Sequence, residues 1–317
     1  MVLAAFPWFG GKFYVDLAMT VMILAIFALS LELLVGRTGL VSFGHAAFFG
    51  VGAYAAVLLS SKGAAASLLW LLPASMLAAA LFAALVGALS LRTRGIYFIM
   101  VTLAFAQMAY YVFHDTKLGG GSDGIYLYVK PVLALGTVRL DLDGTLAFYY
   151  FALACLVGVF GFLVTLSRSP YGHALAGIRA NEQRMRAAGF STYPYKLAAF
   201  TLAGALAGLA GFLYAVKDGF VNPEIVAWHQ SGSVLLMVIL GGIGSWRGAV
   251  IGAFAFVLLK ELFQSEAIFG AFARHWQLPL GLTIIAAVAL MPNGLIGVAS
   301  QLRRARRGTP AEVAHAR

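Results

Sequence analysis

Charge is scarce in this chain. Only 11% of its 317 residues are Asp, Glu, Lys or Arg, against about 25% in soluble domains. Cysteine is reduced to Cys155, set in an apolar run, so no internal disulfide can form and the redox compartment is left open. A phosphate loop is missing as well: Gly10, Gly11 and Lys12 are followed by Phe13, and the Gly-x-x-x-x-Gly-Lys-Ser/Thr spacing is nowhere met. The chain thus shows no recognised site of its own to bind or split ATP. No carboxylate or histidine series runs along one helix, and there is no paired-aspartate motif, metal-ligand spacing or cysteine cluster. A proton relay, intramembrane catalysis and a resident metal or cofactor therefore have no residues to carry them, and the expectation is a non-enzyme.

What is abundant is apolar surface. Hydrophobic residues make up 62% of the sequence and the mean hydropathy is +0.89. Such a chain cannot cover itself with polar groups, so lipid must cover it. The charged stretches are too short to enclose a second core, which leaves one membrane domain over residues 1–317 despite a length that suits two soluble domains. The N-terminus lacks a basic leader before its first apolar run, so that run is read as a retained span.

A crossing needs about 20 mostly apolar residues. Nine candidates follow from the breaks, at 13–35, 40–59, 66–91, 96–113, 145–166, 195–216, 234–243, 248–263 and 278–298, giving an all-α polytopic bundle of eight to ten spans. The seventh is too short as drawn and must borrow from 231–233 or belong to a broken helix. Alternate loops differ in their bases. Arg37, Arg92, Arg94, Arg168, Arg179, Arg184, Arg186, Arg247, Arg303, Arg304, Arg306, Arg307 and Arg317 make thirteen in one set. Lys12, Lys62, Lys117, Lys130, Arg139, Lys217 and Arg274 make seven in the other. The first set is expected inside, with the 167–194 loop and the basic tail 299–317, and the N-terminus outside. The same distribution explains the net charge of +10 as topology signal and not as a nucleic-acid surface. Asp16, Glu32, Lys260 and Glu261 sit near span ends, where snorkelling accounts for them.

Three segments stand out. In 39–54 (GLVSFGHAAFFGVGAY), Gly39, Gly44, Gly50 and Gly52 join Ser42 and His45, poor material for a continuous lipid-facing helix. Backbone freed at membrane depth needs protein or a watery cavity beside it, so this is either a broken helix at a substrate path or a helix packed closely through glycine. A second such run, 240–253 (LGGIGSWRGAVIGA), carries Gly241, Gly242 and Gly244 in the other half of the chain. Gly204-x-x-x-Gly208 and Gly248-x-x-x-Gly252 each place two glycines on one helix face, for packing within the bundle or for a dimer seam. The third segment is the loop 167–194. Tyr171, Leu175, Ile178, Met185 and Gly189 recur at helical spacing, Arg179, Glu182, Arg184 and Arg186 keep the surface polar, and Glu182 and Arg186 form an i,i+4 pair. Pro170 and Gly189 suit a start and a stop. A helix over 171–189 either lies on the membrane surface or docks into a soluble partner that covers its apolar residues.

In these segments the chain resembles the LivM-type permease subunits of branched-chain amino acid ABC importers. The similarity runs in order through 39–54, 94–98 (RGIYF), 103–107 (LAFAQ), 120–125 (GGSDGI), 169–182 (SPYGHALAGIRANE), 196–200 (KLAAF), 205–211 (ALAGLAG) and 240–253. The resemblance implies a type II importer-like fold with broken glycine-rich helices in a bacterial inner membrane. It also implies a second homologous permease, two cytoplasmic ATPase subunits that bind the ATP, and a periplasmic solute-binding protein. By the same resemblance, Tyr171, Leu175, Ile178, Arg179, Asn181, Glu182, Arg184 and Gly189 couple to an ATPase, and Ser42, Gly44, His45, Gly50, Gly241, Gly242 and Gly244 border the translocation path. The alternatives are a permease for urea or short amides, and a stand-alone secondary carrier or channel.

Overall fold

A computed structural model describes residues 6–8, 11–60, 66–135, 138–291 and 294–297; for 133–135, 138–141, 271 and 272 only the backbone course is described. Twelve helices are named here: α1 Lys12–Thr38, α2 His45–Leu59, α3 Leu68–Ser90, α4 Ile96–Asp115, α5 Thr145–Arg168, α6 Pro170–Ala180, α7 Glu182–Ala187, α8 Thr192–Asp218, α9 Trp228–Gly241, α10 Trp246–Gln264, α11 Glu266–Phe269 and α12 Gln277–Leu290. The strands are short: β1 Ile125–Tyr126, β2 Val132–Leu135, β3 Val138–Asp141 and β4 Phe220–Val221. Both strand pairs are antiparallel, β2 with β3 as neighbours and β1 with β4 across the bundle, Ile125 opposite Val221.

Every segment expected to span contains helix, but the described residues do not give nine full-length crossings. Five helices are long and apolar enough to cross, α1, α3, α4, α5 and α8. A sixth crossing arises if α9 and α10, bent by 117° at their junction, count as one, while α2 and α12 are shorter apolar helices. The first expected boundary to fail is 40–59, because helix begins only at His45. The seventh segment is both lengthened backwards to Trp228 and broken at Gly242, the two ways a ten-residue apolar run can be rescued. The basic tail 299–317 lies outside the described residues.

Position in the bundle follows from what each helix buries. In their most apolar stretch α1 is 83% and α8 78% buried, whereas α3, α4 and α5 bury 28%, 22% and 33%. A helix that is hydrophobic on all sides suits either the core or a lipid contact. Here α1, α2 and α8 form the core. Outward-facing Leu77, Leu81 and Leu85 of α3 and Val157 and Phe162 of α5 form part of the lipid-facing belt.

Small residues permit this arrangement. A Cβ on Gly52 of α2 would overlap the Gly208 backbone, and one on Gly211 would overlap the Phe49 carbonyl. Gly204 and Gly208 rest on the methyl groups of Ala83 and Ala79 in α3, so that glycine pair faces a small-residue partner of the same spacing within the chain. Gly248 and Gly252 likewise pack on the α9 backbone at Gly241 and Met237. Both pairs serve packing inside the bundle.

Among the described residues, charged side chains gather at both ends of α1. At one end Arg37 lies over the Trp246 ring at 5.0 Å and the Tyr193 hydroxyl donates to the Ala88 carbonyl at 2.9 Å. At the other Lys217 bridges Asp16 at 3.0 Å and Asp218 at 3.1 Å, beside the β1–β4 pair.

Gly208→Val is expected to destabilise the folded chain by about 1–3 kcal/mol through overpacking. Gly158→Ala and Gly161→Ala on α5, where an added Cβ meets open space, are expected to be neutral or stabilising by about 0.5–1 kcal/mol. Thermal unfolding in detergent distinguishes the two sites.

Candidate functional site

The loop 167–194 folds as two helices and not as the single one expected over 171–189. Ser169 caps α6, its Oγ accepting from the Gly172 N–H at 3.2 Å, with Pro170 in the first helical position where its missing N–H costs nothing. The break falls at Asn181, whose backbone is extended at φ −160° and whose Oδ1 accepts from the Arg184 N–H at 2.9 Å. An asparagine that caps a new helix competes with continuation of the old one, which periodicity alone does not register. Gly189, at φ +87°, closes α7, and the Phe190 N–H reaches back to the Met185 carbonyl at 3.0 Å.

The apolar face of α6 is covered by the chain's own bundle. Leu175 and Ile178 are buried, and α6 touches α1, α5 and α8. Tyr171 donates its hydroxyl to the Tyr195 carbonyl at 2.9 Å and stacks on the Tyr195 ring. These three residues hold the loop against the bundle, so their apolar stripe already has a cover within the chain. What faces outward is His173, Arg184, Arg186 and the turn around Gly189, with Phe190 41% exposed.

Glu182 fastens α7 to α8. Its Oε1 accepts from Arg186 Nη2 at 2.6 Å, Lys196 Nζ at 2.8 Å and Thr192 Oγ1 at 2.9 Å. Burial pushes its carboxyl up, but the hydrogen bonds from Lys196 and Thr192 and the Lys196 and Arg186 charges outweigh it and hold the pKa at about 2.

The first glycine segment is a broken helix whose start is enclosed by protein. The Gly44 N–H donates to Ser42 Oγ at 3.2 Å, the Phe43 N–H to Thr102 Oγ1 at 3.3 Å and the Ala46 N–H to Ser231 Oγ at 2.9 Å. Two hydroxyls thereby hold the non-helical lead-in to α2, and Ser231 supplies an acceptor that the first turn of α2 cannot find in its own helix. His45 is fully buried and stacks on Phe27. Ser30 Oγ donates to the Phe27 carbonyl at 2.6 Å, so its lone pair accepts from His45 Nε2 at 2.8 Å. That assignment puts a proton on Nε2 and leaves Nδ1 without a hydrogen-bond partner among the described residues. A Cβ on Gly44 would meet the Thr102 carbonyl and one on Gly50 would meet Val226.

The second segment forms the α9–α10 turn at the same end as the loop. Gly242 and Gly244 hold φ of +110° and +96°, values that exclude an ordinary side chain without strain. Ser245 caps α10 through the Gly248 N–H at 3.3 Å. The Gly244 N–H donates to Glu32 Oε1 at 2.7 Å, and Arg179 of α6 donates to the Gly36 carbonyl of α1. The structure thus brings Arg179, Glu32 and Gly244 together, while Ser42, Gly44, His45 and Gly50 form a separate packed group deeper in the bundle. Snorkelling does not describe Glu32, which is 1% exposed, with Oε1 held by the Gly244 N–H and Oε2 buried without a hydrogen-bond partner among the described residues.

Sequence reasoning missed a cavity of about 680 Å³ at the opposite end, between α1, α9, α10 and α12. Asp16, Glu224, His229, Lys260 and Glu261 supply its charges, and Leu17, Trp276 and Leu280 its apolar wall. Lys260 lies 5.5 Å from the Trp276 ring centroid. None of the seven residues expected at a translocation path lines this cavity. The acids and lysine at the ends of the first and eighth spans were its only sequence signal. Thr102 and Ser231 gave none, being recruited over 59 and 185 residues of chain. Among the described residues no group of three or more His, Cys, Asp or Glu gathers as metal ligands would.

The family model described as "Branched-chain amino acid transport system / permease component" matches residues 13–288. The chain is 32% identical to the "High-affinity branched-chain amino acid transport system permease protein LivM" of Salmonella typhimurium over 93% of its own length and 73% of the relative's. The Escherichia coli K12 protein of the same name matches to the same extent, 32% over 93% and 73%. A shorter likeness, 30% over 28% of each chain, joins it to an "Autoinducer 2 import system permease protein LsrC" of Photorhabdus laumondii. No solved structure matches the chain.

Glu182→Gln tests the clamp. With a folded-state pKa of about 2 against an ordinary 4.5, the stabilisation by this carboxylate is whole above pH 4.5 and is lost as pH falls towards 2. The substitution is expected to cost about 1–2 kcal/mol at neutral pH and to flatten the acid limb of stability, read by unfolding at stepped pH. Gly242→Val is expected to cost about 1–3 kcal/mol from backbone strain, seen as a lower midpoint in the same assay.

Proposed function

The chain belongs to the permease family of branched-chain amino acid transport systems, and from that premise we propose that it is the membrane subunit of an ATP-driven importer for branched-chain, hydrophobic amino acids. It works in a bacterial inner membrane beside a second, homologous permease. Two cytoplasmic ATPase subunits bind and split the ATP, and a periplasmic binding protein delivers the substrate. The N-terminus is periplasmic and the C-terminus cytoplasmic, in keeping with the arginine-rich end that carries α6 and α7.

The observation that carries this reading is the construction of the 167–194 loop. A short pair of helices, sealed to the bundle by Leu175 and Ile178 and clamped to α8 through Glu182, presents a basic, polar outer surface. A loop so fastened passes a push from a soluble partner into α1 and α8 as displacement. Closure of the ATPases supplies the push, and the outward face of α7 with Asn181, Arg184 and Gly189 receives it. The two glycine-rich segments are the seams along which the core helices slide, since their backbones touch without side chains between them.

Affinity purification of the chain from native membranes is expected to recover two ATPases and a second permease. Recovery of the chain alone in mild detergent supports a stand-alone carrier. In proteoliposomes, Arg179→Glu is expected to lower ATP-driven leucine uptake at least about tenfold with membrane insertion unchanged. Uptake at the unsubstituted rate removes the loop from the coupling route.

A further inference from the structure

Glu32 is the one acid placed well inside a core helix, six residues before the end of α1 and 1% exposed. A buried carboxylate persists only where donors and positive charge compensate it. Its compensation comes from three different parts of the chain. The Gly244 N–H donates to it at 2.7 Å, and Gly244 lies at the start of α10, so the carboxylate faces the positive end of that helix dipole. Arg179, from the loop helix α6, donates to the Gly36 carbonyl one turn away, and its Nη1 lies 3.7 Å from where a Cβ on Gly244 would stand. Arg37 lies over the ring of Trp246, the first residue of α10. Both guanidiniums act on the carboxylate electrostatically, and neither forms an ion pair with it among the described residues.

The end of α1, the loop helix and the α9–α10 turn thus meet around one buried carboxyl group. From that point α10 runs through 19 residues to Gln264, about 28 Å of helix, and its last turns place Lys260, Glu261 and Gln264 in the wall of the outer cavity.

We propose that Glu32 is a positioning residue that makes the α9–α10 turn travel with the loop α6–α7, so that displacement of the loop is delivered along α10 to the wall of the outer cavity. This rests on the importer reading above. A tilt of a straight helix about its packed midpoint moves both ends at once, and Gly248 and Gly252 place that close-packed pivot in the first half of α10. Without the carboxylate the turn keeps its van der Waals contacts and the Arg37–Trp246 contact but loses the Gly244 hydrogen bond to α1, and the loop can move without it.

The test uses the complete importer in lipid nanodiscs and proteoliposomes, with Cys155 replaced by Ser. Spin labels at His173→Cys and Ile243→Cys report the loop-to-turn distance, and labels at His173→Cys and Val157→Cys report movement of the loop against α5. With Glu32 intact, the second distance is expected to change between the nucleotide-free and ATP-vanadate-trapped states while the first stays single and constant. In Glu32→Ala the first distance is expected to change on trapping, and uptake per ATP hydrolysed to fall about tenfold with ATP hydrolysis retained. Glu32→Gln, which keeps an acceptor for the Gly244 N–H, is expected to recover most of the loss, a rescue that general destabilisation does not produce. A loop-to-turn distance that changes with Glu32 intact overturns the proposal, as does unsubstituted coupling in an assembled Glu32→Ala importer. Absence of ATP-driven uptake in the unsubstituted complex overturns the importer reading and this proposal with it, and that control tells the two failures apart.

Discussion

The bundle depends on backbone-to-backbone contact along α8. Gly204 and Gly208 face the methyl groups of Ala83 and Ala79 in α3, Gly208 also meets Gly52 of α2, and Gly211 meets the α2 backbone at Phe49 and Ala53. In a membrane the hydrophobic effect does not drive one apolar helix onto another, so close dispersion contact has to do it. Long side chains at those positions would hold the helices apart and leave the hydroxyl-capped start of α2 open to lipid. The buried polar groups at Ser42, Thr102 and Ser231 are tolerable because that contact shuts hydrocarbon out.

Polar chemistry then falls into two buried places with different demands. Around His45 the need is local, to satisfy the N–H groups at the entry to a helix that begins inside the bundle, and the neighbouring Ser42 with hydroxyls from two other segments meets it. Around Glu32 the need is for charge compensation, and a helix start with two arginines supplies it. The first place ties the core together. The second ties the core to the loop that faces the cytoplasmic partners in the proposed assembly.

Composition and spacing made much of this legible. The apolar excess dictated a membrane bundle, the glycine runs marked the irregular helices, and the alternating arginines placed the 167–194 loop at the same end as Arg37 and Arg247. Glu182 and Arg186 pair as their spacing requires, at 2.6 Å. Legibility failed where the outcome depended on tertiary partners. Tyr171, Leu175 and Ile178 read as an exposed stripe because periodicity reports amphipathicity and not which body covers it. Asn181 was one polar residue among several until its side chain capped α7. Glu32 looked like a span-end charge because a sequence shows distance from the end of an apolar run but not the donors waiting at the start of α10.

The burial of Leu175 and Ile178 has a consequence for assembly. A segment that orders itself only on meeting its partner spends part of the interaction free energy on lost conformational freedom, and its association slows accordingly. Here α6 and α7 are already capped, pinned and shaped by their own chain, so docking meets a rigid relief. The free energy of contact is left for holding the complex together against repeated strokes, and the subunits can be loaded in either order without one acting as a folding template for the other.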